Sequence, residues 1–272
     1  MGLGPVSLNK ANLATQCLCI SLVTAFVVLR FLIRFHLKQR LVLEDYSCLI
    51  AWVLTIAFCA IALTIGETWK GYQQANVKEQ EIALITLYYW VLALLYGVAV
   101  LFVKIALLSI LGRIFASYPY LVYFLDTYIL VLCLYYVLLL FLKAFSCSPP
   151  SKFWEGREED GSCLGIRGLY LADAIFSVIS DAIILMIPIP LVWRLHLPLR
   201  KKVQAAILLG AGGLAIAFSI YRVVLIAQKA HPEDKVYYRM QLVLTGNAEL
   251  SLGLICACLP SVNICISLFS SC

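Results

Sequence analysis

Phe176–Pro190 reads FSVISDAIILMIPIP: an apolar run with one carboxylate, Asp181, near its middle and two prolines at its end. Runs like it fill the rest of the chain. Of 272 residues, 63% are hydrophobic and 13% charged, and the mean hydropathy is +0.94. Soluble domains are about half apolar and about a quarter charged. So few charges cannot solubilise so much apolar surface, and the composition predicts an integral membrane protein. The net charge of +6 then matters for where along the chain it falls. It is no signal of nucleic-acid binding.

A spanning helix needs about 20 mainly apolar residues. Seven stretches qualify, near 12–35, 41–66, 82–112, 119–143, 168–194, 203–229 and 240–265. They predict one all-α domain over residues 1–272, a seven-transmembrane-helix bundle without repeats. The short connections predict antiparallel neighbours. The third stretch exceeds a straight span and is expected to tilt or project. The first is long enough to be retained rather than cleaved. MGLGPVS places Val6 where a myristoylation pattern needs Ser or Thr, and Cys272 is terminal rather than at a prenylation position.

Basic residues orient the bundle. The links RFLIRFHLKQR (30–40) and WRLHLPLRKK (193–202) are basic, whereas CSPPSKFWEGREEDGSC (147–163) and KAHPEDKVYYR (229–239) mix signs. The basic clusters fall on alternate links, which predicts an outside or lumenal N-terminus and a cytosolic C-terminus. Cys147 and Cys163 then flank an external link, where disulfides persist. Most of the other cysteines, Cys17, Cys19, Cys48, Cys59, Cys133, Cys256 and Cys258, lie in apolar runs as small hydrophobes.

Asp181 is thus expected near the bilayer midplane, where an unpaired charge costs about 2.5–3.5 kcal/mol. It should face inward and have a partner. Asp173, Ser177 and Asp181 recur every four residues and share one stripe. Lys104, Asp126, Arg222 and Glu249 also interrupt apolar runs. Their depths suggest two pairs: Arg222 with Glu249, and Lys104 with Asp181 or Asp126. Ser219, Thr245 and Asn247 are candidates to join them. A polar pocket that binds, conducts or transforms a ligand is the functional reading of such charges; a register-fixing role is the structural one.

In AILLGAGGLAIAFS (206–219), Ala206 and Gly210, then Gly213 and Ala217, lie four apart, a spacing that lets helices approach closely. Trp52, Trp69, Tyr88, Tyr89, Trp90, Trp154 and Trp193 fall mostly near helix ends, as in an interfacial belt. A retinal protein needs a Schiff-base lysine, and the seventh helix has none, so no retinal is expected. There is no nucleotide-binding loop, and no HExxH or His/Cys cluster to hold a metal.

Several stretches in this order resemble the fungal integral-membrane family named for a rhodopsin-like domain, which includes the satratoxin-cluster membrane protein. They are RFHLKQRLVLEDYSCLIAW (34–52), LFVKIALLSILGRIF (101–115), FSCSPPSKFW (145–154) with GSC (161–163), SDAIILMIPIPLVWRLHLPLRKK (180–202), SIYR (219–222) and NAELSLGLICACLP (247–260). The family's paired aspartates at the start of helix 2 stand here as Glu44-Asp45. Its helix 3 lysine, helix 5 aspartate, helix 6 arginine and helix 7 glutamate look retained as Lys104, Asp181, Arg222 and Glu249. The resemblance implies one of two settings. One is an accessory step of secondary metabolism (mycotoxin biosynthesis) on a lipophilic intermediate; if that step is enzymatic, a cofactor-free cyclisation or isomerisation is expected, with Asp181 or Glu249 as general acid. The other is a plasma-membrane receptor without catalysis; a small-molecule carrier is a third option. Many members carry a long cytosolic tail, and the end of this chain soon after helix 7 lowers the expectation of tail-based signalling. Expected partners are the lipid bilayer, of the endoplasmic reticulum or plasma membrane, and a lipophilic small molecule.

Overall fold

The computed structural model describes residues 4–71, 77–154, 163, 165–187, 189, 199–228 and 234–269. Seven long helices dominate it: α1 Pro5–His36, α2 Leu43–Trp69, α3 Glu79–Ile114, α4 Pro119–Ala144, α5 Ile166–Met186, α6 Leu199–Gln228 and α7 Lys235–Phe269. All seven are long and apolar enough to cross a membrane. The protein is a multi-pass, all-α integral membrane protein.

Local chemistry sets the helix ends. Proline opens α1 and α4, where its missing N–H leaves nothing unsatisfied. The Asp45 carboxylate accepts from the Val42 N–H at 3.2 Å and starts α2. Lys70, at φ 53°, closes α2 in the left-handed conformation. Helix α5 runs to Met186, and Ile187 after it keeps helical angles, φ −56° and ψ −48°. The expected continuation of this helix to 194 falls, at 188 and 190–194, outside the described residues, as do Trp193 and the basic link up to 198. Helices α1 and α7 begin seven and five residues earlier than hydropathy suggests. Polar residues there pack against neighbours, and a hydropathy window ends too soon. Helix α3, with 36 residues, is about 54 Å long against about 30 Å of hydrocarbon, and so overruns a straight span as expected.

Side-chain partners define the helix directions. Asn12 meets Ala62, and Arg30 meets Asp45, so α1 and α2 are antiparallel. Lys143 meets Asp173 across α4–α5, and Arg167 meets Ile226 across α5–α6. Thr86 meets Arg239, and Tyr96 meets Glu249, so α3 and α7 run parallel through the centre. Those two helices carry much of the core, including Ile85, Leu92, Leu108, Met240, Leu250 and Leu254. Helix α4 is more peripheral and shows Leu130, Leu134, Leu138 and Phe141 to the surroundings. The disulfide Cys147–Cys163 ties the α4–α5 link.

Two expectations about packing are corrected. Gly210 and Gly213 have open space where a Cβ would stand, and Ala217 is exposed; the side chain of Ala206 lies outside the described residues. The close approach uses Gly212, where a Cβ would meet Leu185 Cδ1 at 2.5 Å, and Gly253, where it would meet Val103 Cγ1 at 2.6 Å. Trp69 and Tyr89 belong to the buried core rather than to an interfacial belt.

Candidate functional site: a buried charge network

Helix α5 presents Asp173, Ser177, Ser180 and Ile184 on one buried face, the stripe that its four-residue spacing implies. Helix α4 answers with Leu125, Leu132, Tyr136, Leu139 and Lys143. Into the seam between them and α3 comes Lys104. Its ammonium lies 2.8 Å from Asp181 Oδ1. It also donates to Ser177 O and Oγ, both at 3.2 Å, and to Ser180 Oγ.

The network continues without a break. Ser177 Oγ donates to Glu249 Oε1 at 2.6 Å, and the Tyr96 hydroxyl donates to Glu249 Oε2 at 2.7 Å. Arg222 Nη1 lies 3.6 Å from Glu249 Oε2, with its guanidinium 4.4 Å from the centre of the Tyr96 ring. Ser219 Oγ stands 3.5 Å from Asp181 Oδ2. One helical stretch along α5, Lys143 Nζ holds Asp173 Oδ2 at 2.7 Å. Lys104, Lys143 and Arg222 balance Asp173, Asp181 and Glu249, so the cluster carries no net formal charge. That balance is what makes six charges tolerable in a low-dielectric interior.

The two pairs expected from depth are therefore one network, joined by Ser177. Asp126 is not part of it. It sits one residue from the buried Leu125, about 100° around the helix, and is exposed. It lines a separate cleft with Arg34, Glu44 and Arg113. Ser219 joins the network, whereas Thr245 Oγ1 donates to carbonyls of its own helix.

Beside Lys104, Asp181 and Glu249 is a cavity of about 80 Å³ between α3, α5, α6 and α7. The rest of its wall is apolar, including Val103, Leu107, Ile184, Leu185 and Ala215. The two carboxylates differ. Both Glu249 oxygens are occupied by short hydrogen bonds. Asp181 gives one oxygen to Lys104 and has only the long Ser219 contact at the other, so it is the carboxylate open to the cavity. No group of three or more His, Cys, Asp or Glu could hold a metal among the described residues.

Two further polar clusters escape a reading by charge alone. At the α1–α2 link, Arg30 donates to Asp45 Oδ1 at 3.0 and 2.8 Å and to Ala257 O at 2.6 Å. Arg34 pairs with Glu44, which also takes Arg113 at 2.7 Å. Arg30 and Arg34 are buried; only the later residues of that basic stretch, such as Lys38 and Arg40, are exposed. Towards the opposite end, Asn247 donates to Gln16 at 2.7 Å, Gln16 to Asn12 at 3.0 Å, and Asn12 to Ala62 O at 3.0 Å. These uncharged groups tie α1, α2 and α7 together.

A seven-helix membrane bundle with a charge-balanced interior defines the class. Residues 29–268 match the fungal rhodopsin domain, and the chain belongs to that family. It is 24% identical over 208 residues to a SAT4 family membrane protein of Emericella nidulans, covering 76% of this chain and 52% of that protein. It is 24% identical over 116 residues to Fugralins biosynthesis cluster protein 2 of Gibberella zeae, covering 43% and 29%. It is 30% identical over 114 residues to Receptor GIN3 of Arthrobotrys oligospora, covering 42% and 28%. The chain thus spans about half the length of the first relative and less than a third of the other two. No solved structure matches it.

Proposed function

We propose that this protein performs an accessory step of fungal secondary metabolism on a lipophilic small molecule, held between α3, α5, α6 and α7. The observation that carries the reading is the cavity itself: an apolar wall with Asp181, Lys104 and Glu249 at one side. Such a site suits a molecule with an apolar body and a polar end. Its volume of about 80 Å³ is below the usual range of about 300–1,000 Å³ for ligand sites. Entry therefore requires α5 and α6 to part.

The chemistry in this reading is a cofactor-free cyclisation or isomerisation. Asp181 transfers the proton, because it is the carboxylate with an unoccupied oxygen. Lys104 stabilises negative charge that develops on the substrate. Glu249 positions Ser177 and Tyr96 rather than acting directly. Retinal is left out of this reading. Lys104, beside the cavity, is engaged by Asp181, Ser177 and Ser180. The N-terminus is assigned to the exterior or lumen, together with the disulfide-bearing link.

A relative carrying the name of a receptor favours a second reading, in which the same network binds a ligand without converting it. Turnover separates the two. Membranes carrying the wild-type and Asp181→Asn chains are incubated with lipid extract from a gene-deleted strain. Loss of one compound and gain of an isomer, with wild type only, supports the step. Saturable binding without conversion transfers the assignment to the receptor.

A further inference from the structure

Arg222 is buried, at 6% exposure, yet it makes poor use of its donors. Nε and Nη2 have no hydrogen-bond partner, and Nη1 reaches Glu249 only at 3.6 Å. Glu249 is no better acceptor for it, since Ser177 and Tyr96 already occupy both oxygens. Two free donors on a buried guanidinium are costly to leave unmade. They are also a specific pair: Nε and Nη2 form one edge of the guanidinium fork, whose two parallel N–H bonds match the two oxygens of a carboxyl group.

Two more groups of the network are orphaned. Asp173 Oδ1 and the Tyr136 hydroxyl are buried without partners, and Asp173 interacts electrostatically with both Arg222 and Tyr136. The set therefore lacks an acceptor for Arg222 and a donor for Asp173. A carboxylic acid supplies both and adds no charge to a balanced cluster.

Arg222 is not part of the cavity wall but lies in line with it along α6. Gly212, Ala215, Ser219 and Arg222 follow one another at helical spacing on the side of α6 that faces the site. Gly212 and Ala215 line the cavity, and Arg222 stands about 10 Å further along, at about 1.5 Å per residue. An apolar body in the cavity and a head at Arg222 is thus an extended amphiphile.

We infer that the free edge of Arg222 is the head-group site for a lipophilic carboxylic acid whose apolar part occupies the α3–α5–α6–α7 cavity. This rests on the small-molecule reading above and names the class of molecule.

The test uses the full chain purified into nanodiscs. Saturable binding of radiolabelled octanoic and oleic acids is measured, with their methyl esters as competitors. An ester keeps the apolar body and loses the carboxyl group. At least one acid is expected to bind with its ester at least about tenfold weaker, the loss expected for hydrogen bonds to a charged group. Arg222→Lys keeps the charge and removes the fork, and is expected to weaken that acid by a similar factor. An ester that competes as well as its acid overturns the inference, with no variant needed. So does unchanged acid binding by a folded Arg222→Lys chain, or the absence of saturable binding by both acids, which would assign the orphaned groups to water. The turnover experiment reads a different quantity. Conversion of a compound that lacks a carboxyl group would sink the head-group site and leave the metabolic reading standing.

Discussion

Replacing Lys104 by Met removes the ammonium that Asp181, Ser177 and Ser180 share and keeps the apolar stem. Asp181 is then left with Ser219 at 3.5 Å, which is no effective hydrogen bond. Breaking a buried ion pair costs about 3–5 kcal/mol. The Asp181 side chain is 15% exposed, towards a cavity large enough for water, so the lower end of that range, about 3 kcal/mol, is expected. Asp181→Asn is milder. Its amide oxygen still accepts from Lys104, and the serine oxygens remain, so about 1–2 kcal/mol is expected. Once Lys104 is Met, Asp181→Asn no longer breaks a pair and instead removes a buried, unpartnered charge. The double variant should therefore be no less stable than Lys104→Met alone, leaving a coupling of at least about 1–2 kcal/mol. Equilibrium unfolding in mixed micelles, by increasing the fraction of denaturing detergent, measures all three. Additivity of the single effects to within about 0.5 kcal/mol would show that the pair is not coupled and would refute the reasoning.

Glu44→Gln should destabilise by about 3 kcal/mol, because it strips buried Arg30 and Arg34 of a shared charge. Arg113→Met should cost under about 1 kcal/mol, since that side chain is 50% exposed; the same unfolding assay compares the two. Gly253→Ala should cost about 1–3 kcal/mol by driving a methyl into Val103, and Val103→Ala should restore much of it. Loss of the Cys147–Cys163 bridge should cost about 3 kcal/mol for a sequence separation of 16. Once reduced in sealed cells or vesicles, these thiols should react with an impermeant maleimide from the exterior or lumenal face only, and labelling from the cytosolic face would reverse the assigned orientation.

The bundle was legible because hydropathy reports lipid exposure directly. Asp181 and Lys104 were legible as a pair because lone charges in apolar runs demand partners. Asp126 was misplaced for a reason hydropathy cannot detect. It shares its depth with Lys104 but sits off the buried face defined by Leu125, Leu132 and Lys143. Helical phase decides between the two, and counting from Lys143 back along that face would have found it. Arg30 and Arg34 were read as a cytosolic charge signal, although Glu44 and Asp45 a few residues on offered the alternative of a buried cluster. Asn247 was expected to join the charged network but bonds Gln16 instead; Asn12 and Gln16 gave no signal, because uncharged amides barely disturb an apolar average. Tyr96 was hidden likewise among the many aromatics of α3.

The central claim is that Asp181 acts on a small molecule, and not only as a tie between helices. Metabolite extracts from three strains test it most directly: intact, gene-deleted, and Asp181→Asn with the protein shown to be folded at normal abundance. The account predicts that one product disappears and one precursor accumulates in both altered strains. Profiles that match in all three strains, under conditions where the gene is expressed, would contradict it.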